Sequence, residues 1–226
     1  MRPTPGLALA LALALPLTAC ETSVGTTVVD EPAVAFRQTF TGASLLAPSP
    51  QGAAGVHGLD PEAADTLYAL GEGDLRIGGE LVAEGVRVDG RAAAREHWVY
   101  VARTVGRLPD DDLAHDLDVE LTLGTIARPS PAPEVFVAAV ADLPRAVETR
   151  GGTLAVTVAG TPLDRLATLR RLGELPRGLR ELEIASLPLN DVGGGREVVV
   201  VILLRVPADV SYEAVVEELV VTAWEG

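Results

Sequence analysis

Several of the materials that functional sites are commonly built from are scarce in this sequence. There is no lysine: all eighteen basic residues are arginine, set against thirty-two acids, for a formal charge of -14. A field of that sign repels phosphate backbones and excludes nucleic acid as a first partner. The chain has one cysteine, which excludes an internal disulfide and a thiolate metal cage. The three histidines, His57, His97 and His115, include no pair at the i, i+4 spacing of a helical zinc site. Aromatic residues make up 4% of 226, so stacking platforms are few and the core must be assembled from Ala, Val and Leu. No apolar run reaches the ~20 residues of a membrane-crossing helix, and no serine sits in a G-x-S-x-G elbow. What remains is ordinary for a globular body: 48% apolar and 22% charged residues. The length suits one compact domain with extensions or two small ones.

The N-terminus carries the strongest signal. Met1-Arg2 is a short basic start, and an apolar stretch of alternating Leu and Ala runs from Gly6 to about Ala19, which has the form of a secretory signal over residues 1–19. It ends in Leu17-Thr18-Ala19-Cys20, which resembles the lipobox of bacterial lipoproteins. The resemblance implies that Cys20 becomes the mature N-terminus, carrying a diacylglyceryl thioether and further acyl chains that hold the protein to a bilayer. At roughly 0.8 kcal/mol per buried methylene, two or three chains give a stable anchor. Glu21 follows, where retention in an inner membrane is commonly signalled by Asp. In a two-membrane envelope the resemblance therefore implies the outer membrane, facing the periplasm.

Residues 20–59 are rich in Thr, Ala, Gly, Ser and Pro and predict a flexible tether, with a root-mean-square reach near 35 Å for about 40 residues. Val34, Phe36 and Phe40 sit on even positions within it, interrupted by Gln38, as in a strand docking onto the body. Residues 60–116 predict a small helix-strand-helix module. Asp60 and Pro61 suit a helix start and Gly71 its end; Leu75–Ile77 and Leu81–Val88 read as strands; Arg91–Val105, with Ala94, Trp98, Val101 and Val105 on one face, reads as a second helix.

Residues 117–226 predict an α+β domain. Val119, Leu121 and Leu123 alternate as a strand, Pro133–Arg150 reads as helix, Leu154–Ala159 as strand and Pro162–Leu172 as a helix with a leucine stripe. Leu179–Leu187 alternates, and the seven apolar residues Val198–Leu204 read as a strand buried on both faces. Ser211–Glu218 then reads as a short helix and Val220–Trp224 as an edge strand. From Leu154 the order is the split βαβ of ferredoxin-like folds. Ala159-Gly160-Thr161, the leucines 163, 166, 169 and 172, and Leu175-Pro176-Arg177 are similar to the ferredoxin-like part of the PilO family of pilus-assembly proteins over about 50 residues. Gly151-Gly152 and Leu204-Arg205-Val206-Pro207-Ala208 resemble a lipoprotein family of unknown function. Both imply assembly parts at bacterial membranes, and neither supplies catalytic residues.

Candidate sites are few. Asp110–Asp112, His115, Asp116 and Asp118 form an acidic turn without the order of a calcium loop. Gly71-Glu72-Gly73 lacks the third glycine of a dinucleotide fingerprint, having Arg76 there. Arg165, Arg170, Arg171, Arg177 and Arg180 make a local positive stretch that could meet anionic lipid or an acidic partner. No cofactor or metal is expected. The leading expectation is a lipid-anchored, non-enzymatic envelope protein serving as a scaffold or assembly accessory, with Tyr212, Trp224 and the terminal strand as contacts for a protein partner. The alternative is a small-ligand-binding lipoprotein with a pocket lined by Tyr68, Trp98 and Tyr100. An enzyme, the third possibility, needs a cleft joining His97 or His115 to two carboxylates.

Overall fold

The computed structural model describes residues 34–39, 52–77, 80–108, 115–127, 129–188 and 197–225. They form strands β1 (Val34–Thr39), β2 (Gly52–His57), β3 (Tyr68–Ile77), β4 (Glu80–Gly90), β5 (His97–Arg107), β6 (His115–Thr125), β7 (Glu134–Val140) and β8 (Arg145–Glu148). These are followed by β9 (Leu154–Val158), β10 (Thr161–Pro162), β11 (Arg170–Glu174), β12 (Gly178–Pro188), β13 (Glu197–Val206) and β14 (Tyr212–Glu225). One α-helix, α1 (Pro61–Leu67), precedes β3. Its start is as the sequence predicts: the Asp60 carboxylate accepts from the Ala63 N–H at 2.7 Å and Pro61 opens the first turn. Its end is not, because Tyr68 is already extended and Gly71 lies within β3.

The strands pair antiparallel in three sheets. A six-stranded sheet runs β12-β6-β14-β4-β3, with β1 also paired to β14 beyond the end of β4. A five-stranded sheet runs β11-β7-β13-β5-β2, and a small one β10-β9-β8. The inner faces of the two large sheets share one core: Val86, Val88, Leu117, Val119, Leu121, Leu219 and Val221 from the first meet Val99, Val101, Val135, Val137, Val200 and Ile202 from the second. The opposite face of the five-stranded sheet carries a second core, in which Tyr100, Ala102, Val199, Val201 and Leu203 pack under Val156, Val158 and Leu163. The protein is thus a β-sandwich with one outer face roofed by its own chain.

This overturns the expected α+β, ferredoxin-like class with a small α/β part on a tether. The boundary expected at 116/117 separates nothing, since β5 pairs with β13 and β4 with β14, and residues from Glu31 onward form one compact unit. Within the expected tether, β1 and β2 are sheet strands.

Each misplaced helix has a physical cause. β5 and β7 lie beside β13, under the roof as well as over the main core, so apolar residues occupy both parities. A helical spacing can be picked out of any such run, and the β-branched content of Val99, Val101 and Val105 decides for strand. In β14, Val216 and Leu219 are three apart yet on one face, because a bulge between Val216 and Glu218 inserts a residue. The strand is also internal: β6 flanks one side and β4 and β1 the other. The leucine stripe divides, with Leu163, Leu166 and Leu169 in the roof core and Leu172 against the main core. Only Leu163–Arg165 forms a helical turn there, of 3-10 type.

Candidate functional site

The roof is stitched down along both margins. On one side Gly58 N–H donates to the Leu154 carbonyl at 2.9 Å, Leu154 N–H to the Leu59 carbonyl at 2.6 Å, and Val156 N–H to Nδ1 of His57 at 2.9 Å. On the other, the buried Thr168 hydroxyl donates to the Ala139 carbonyl at 2.9 Å, clipping the 163–169 segment onto β7. Leu163 is fully buried beneath it. These bonds fix the walls of whatever opens along the roof.

Two adjoining pockets open there. One, of about 370 Å³, lies between the end of β7 and the segment after β10, with Asp142, Thr161, Arg165, Leu166 and Thr168 among its walls. The other, of about 330 Å³, is bounded by Asp142, Leu143, Arg145, Thr157, Ala159 and Gly160. Asp142 and Ala159 border both. Ala159 belongs to the two-residue turn between β9 and β10, where Val158 pairs with Thr161 and both central residues are left-handed, Ala159 at φ 48° and Gly160 at φ 85°. Hairpin turns of this kind need positive φ twice, which glycine supplies freely and alanine at about 1 kcal/mol. Among the described residues, neither Arg145, Arg165 nor Asp142 takes part in an ion pair. The pockets therefore offer two guanidiniums and a carboxylate, and among the described residues no histidine, cysteine or serine is in their walls.

The five arginines that are close in sequence are distributed over the fold. Arg165 belongs to the roof, Arg170 and Arg171 to the edge strand β11, Arg177 to the connector bridged to Thr125, and Arg180 to the edge strand β12. Arg170 donates to the carbonyls of Ala167 and Leu169. Arg171 donates to Glu134, which also holds Arg205, itself paired with Glu96. Of the five, Arg165 lines the first of the two pockets. Nothing in the sequence marked Arg145 or Asp142.

The other candidates are dispersed as well. Cys20 and Asp110–Asp112 lie outside the described residues. Asp116 is exposed, and Asp118 accepts from the Ser186 N–H at 3.0 Å and from the Trp224 indole at 2.6 Å. Tyr68 belongs to the main core while Trp98 and Tyr100 face the roof, Trp98 against Phe136 at 5.1 Å, so the three cannot line one pocket. Tyr212 is buried, which removes it as an exposed contact. His97 is 1% exposed, its Nδ1 against the Arg95 carbonyl at 2.9 Å and its ring edge-on to Tyr68 at 5.0 Å.

Burial lowers the pKa of both His57 and His97 from the usual 6.5; for His57 the nearby Asp164 carboxylate opposes the shift. At His57 the incoming Val156 N–H also requires the lone pair of Nδ1. The unfolded chain therefore binds protons more readily than the folded one, and stability should decline as pH falls below about 6.5, continuing until the folded histidines are protonated. Glu217, raised by burial and by Glu218, and Glu181, raised by its hydrogen bond with Glu183 and by surrounding carboxylates, act in the opposite direction at lower pH. The urea midpoint should drop between about pH 7.5 and 5.5, with a shallower drop in His97→Phe. A flat profile in the unsubstituted protein would contradict the assignment.

No protein-family model matches the chain, and no curated protein matches it. Among solved structures it is similar to the CBM22-1 xylan-binding domain of Paenibacillus barcinonensis Xyn10C, at 8% identity and TM-score 0.39 over 87% of this chain and 97% of that one. It is also similar to the family 11 carbohydrate-binding module of the cellulase Lic26A-Cel5E of Clostridium thermocellum, at 8% identity and TM-score 0.35 over 84% and 95%. A third similarity is to the family 30 module of the Clostridium thermocellum cellulase Cel9D-Cel44B, at 11% identity and TM-score 0.34 over 85% and 93%. At TM-scores below 0.5 nothing about a ligand of this chain follows from these matches.

Proposed function

We propose that this protein is a non-catalytic binding module, tethered to a bilayer through Cys20, that takes a small polar ligand in the paired pockets of its roof. The observation that carries the proposal is the pair of adjoining cavities on a stitched framework, each with an arginine that has no ion pair among the described residues and both bordered by Asp142. Their volumes fall at the lower end of the range for small-molecule sites, about 300–1,000 Å³. The walls can pair with charge through the two arginines and accept hydrogen bonds from hydroxyls through Asp142, which suits holding a polar ligand. Titrating a panel of sugars, sugar acids and hydroxy acids into labelled protein should shift amide resonances around Ala141–Asp142, Ala159–Thr161 and Arg165–Thr168. If every responsive amide lay elsewhere, or none responded, the proposal would fall.

The scaffold role through an open terminal strand loses its basis, because β14 is flanked on both sides. The anchor is supported by Leu17-Thr18-Ala19-Cys20. With β1 already in the sheet at Val34, the chain from Cys20 spans at most about 50 Å at full extension, against about 140 Å for a tether running to residue 59. Cys20→Ser should abolish acylation and, with it, the cleavage after residue 19, as an intact-mass measurement would read. Membrane association and processing identical to the parent would remove the anchor.

A further inference from the structure

We infer that the paired pockets hold an acidic polyhydroxy ligand with one carboxylate in each, as two successive uronic-acid units of an acidic polysaccharide would present. The inference rests on the binding function proposed above and specifies its ligand. Each pocket contributes one guanidinium, Arg165 in the first and Arg145 in the second. The Asp142–Ala159 wall stands between them.

Guanidinium pairs with carboxylate through two parallel N–H bonds, and two such groups in adjoining compartments match a ligand whose charges repeat along its length. Asp142, as a carboxylate, only accepts hydrogen bonds, so whatever lies against the shared wall must bring donors, which sugar hydroxyls do and a plain hydrocarbon dicarboxylate does not. Thr161, in the first pocket, adds a hydroxyl. The sign is notable in a protein of net charge -14. Repulsion from distant acids fades beyond a Debye length of about 10 Å at 0.1 M salt, whereas groups in direct contact with the ligand are screened less. Arg145 and Arg165 are both exposed and have no ion pair among the described residues, so holding the roof in place does not require them.

The test is calorimetric titration of digalacturonate, galacturonate, galactose and adipate into the full chain, repeated with Arg145→Gln, Arg165→Gln and Asp142→Asn, with amide spectra recorded in parallel. Digalacturonate should bind at least about tenfold more tightly than galacturonate, a difference of 1.4 kcal/mol. Each arginine substitution should bring it down to the single-unit affinity. Galactose should be weak, adipate should fall short of digalacturonate, and Asp142→Asn should narrow the gap between them. Thermal midpoints of the variants should match the parent, which separates lost contact from lost fold. If galactose bound as well as galacturonate, if adipate equalled digalacturonate, or if both arginine variants kept the full gain, the acidic-sugar inference would be wrong. The binding function would survive that result provided the pocket amides still shifted. Silence of those amides with every probe would overturn both.

Discussion

Truncating Leu203 and Leu204 to alanine, one at a time, should destabilise the protein by similar and large amounts, about 2–5 kcal/mol each. The two are neighbours on β13 and point in opposite directions: Leu203 is fully buried in the roof core, and Leu204 lies 3% exposed in the core between the large sheets. In a sandwich with a bare outer face, only one of them would matter. Each truncation removes the transfer free energy of three carbons and leaves a cavity in a close-packed interior. Urea unfolding followed by fluorescence measures both. A cost below about 1 kcal/mol for Leu203→Ala, with Leu204→Ala expensive, would mean that the roof does not close over the sheet.

Gly124→Ala should be comparably damaging for the opposite reason. A Cβ built at Gly124 would collide with the carbonyl oxygen of Gly178 on the paired strand β12. That atom belongs to the backbone and cannot rotate aside, so β6 and β12 must separate where their ladder holds one edge of the six-stranded sheet. Overpacking of this kind costs about 1–3 kcal/mol and more where backbone must move. Gly71 provides the control, since a Cβ there meets nothing within 4 Å. Gly71→Ala should be neutral or stabilising by up to about 1 kcal/mol through the lower entropy of the unfolded chain. Equal effects at the two positions would show that the close approach at Gly124 is not fixed.

The strands that could be seen in the sequence are those with one wet face. In β6, Val119, Leu121 and Leu123 alternate with Glu120 and Thr122, and in β12 Leu182 and Ile184 alternate with Glu181 and Glu183, because the carboxylates of that face reach solvent. β13 was recognisable for the converse reason, as a short β-branched run too uniform for any other element. β5 and β7 were not, because residues buried on both faces carry no period that separates strand from helix. β14 was hidden by its bulge, which gives inward residues the spacing of a helical face for one step.

The paired pockets were less legible than the fold. Asp142, Arg145 and Arg165 are spread over 24 positions in the sequence and sit on three different segments. They become neighbours of the same pair of pockets only because the chain from β8 to β11 folds back across the outer face of the five-stranded sheet. The arginine-rich stretch drew attention to Arg165 through net charge alone, while two of its companions spend their donors on nearby carbonyls or on Glu134.

What the sequence by itself determined is the material of this protein: an aliphatic core with few rings, an acidic surface, the cap of α1, and the strands that alternate. Tertiary structure decided which apolar segments are strands and which face each buries, since burial on two sides erases the periodicity from which a face is inferred. It also decided where charge meets a cavity. Local propensity acts on residues near in the chain, whereas a pocket is a relation between segments whose approach is set by the packing of the sheets.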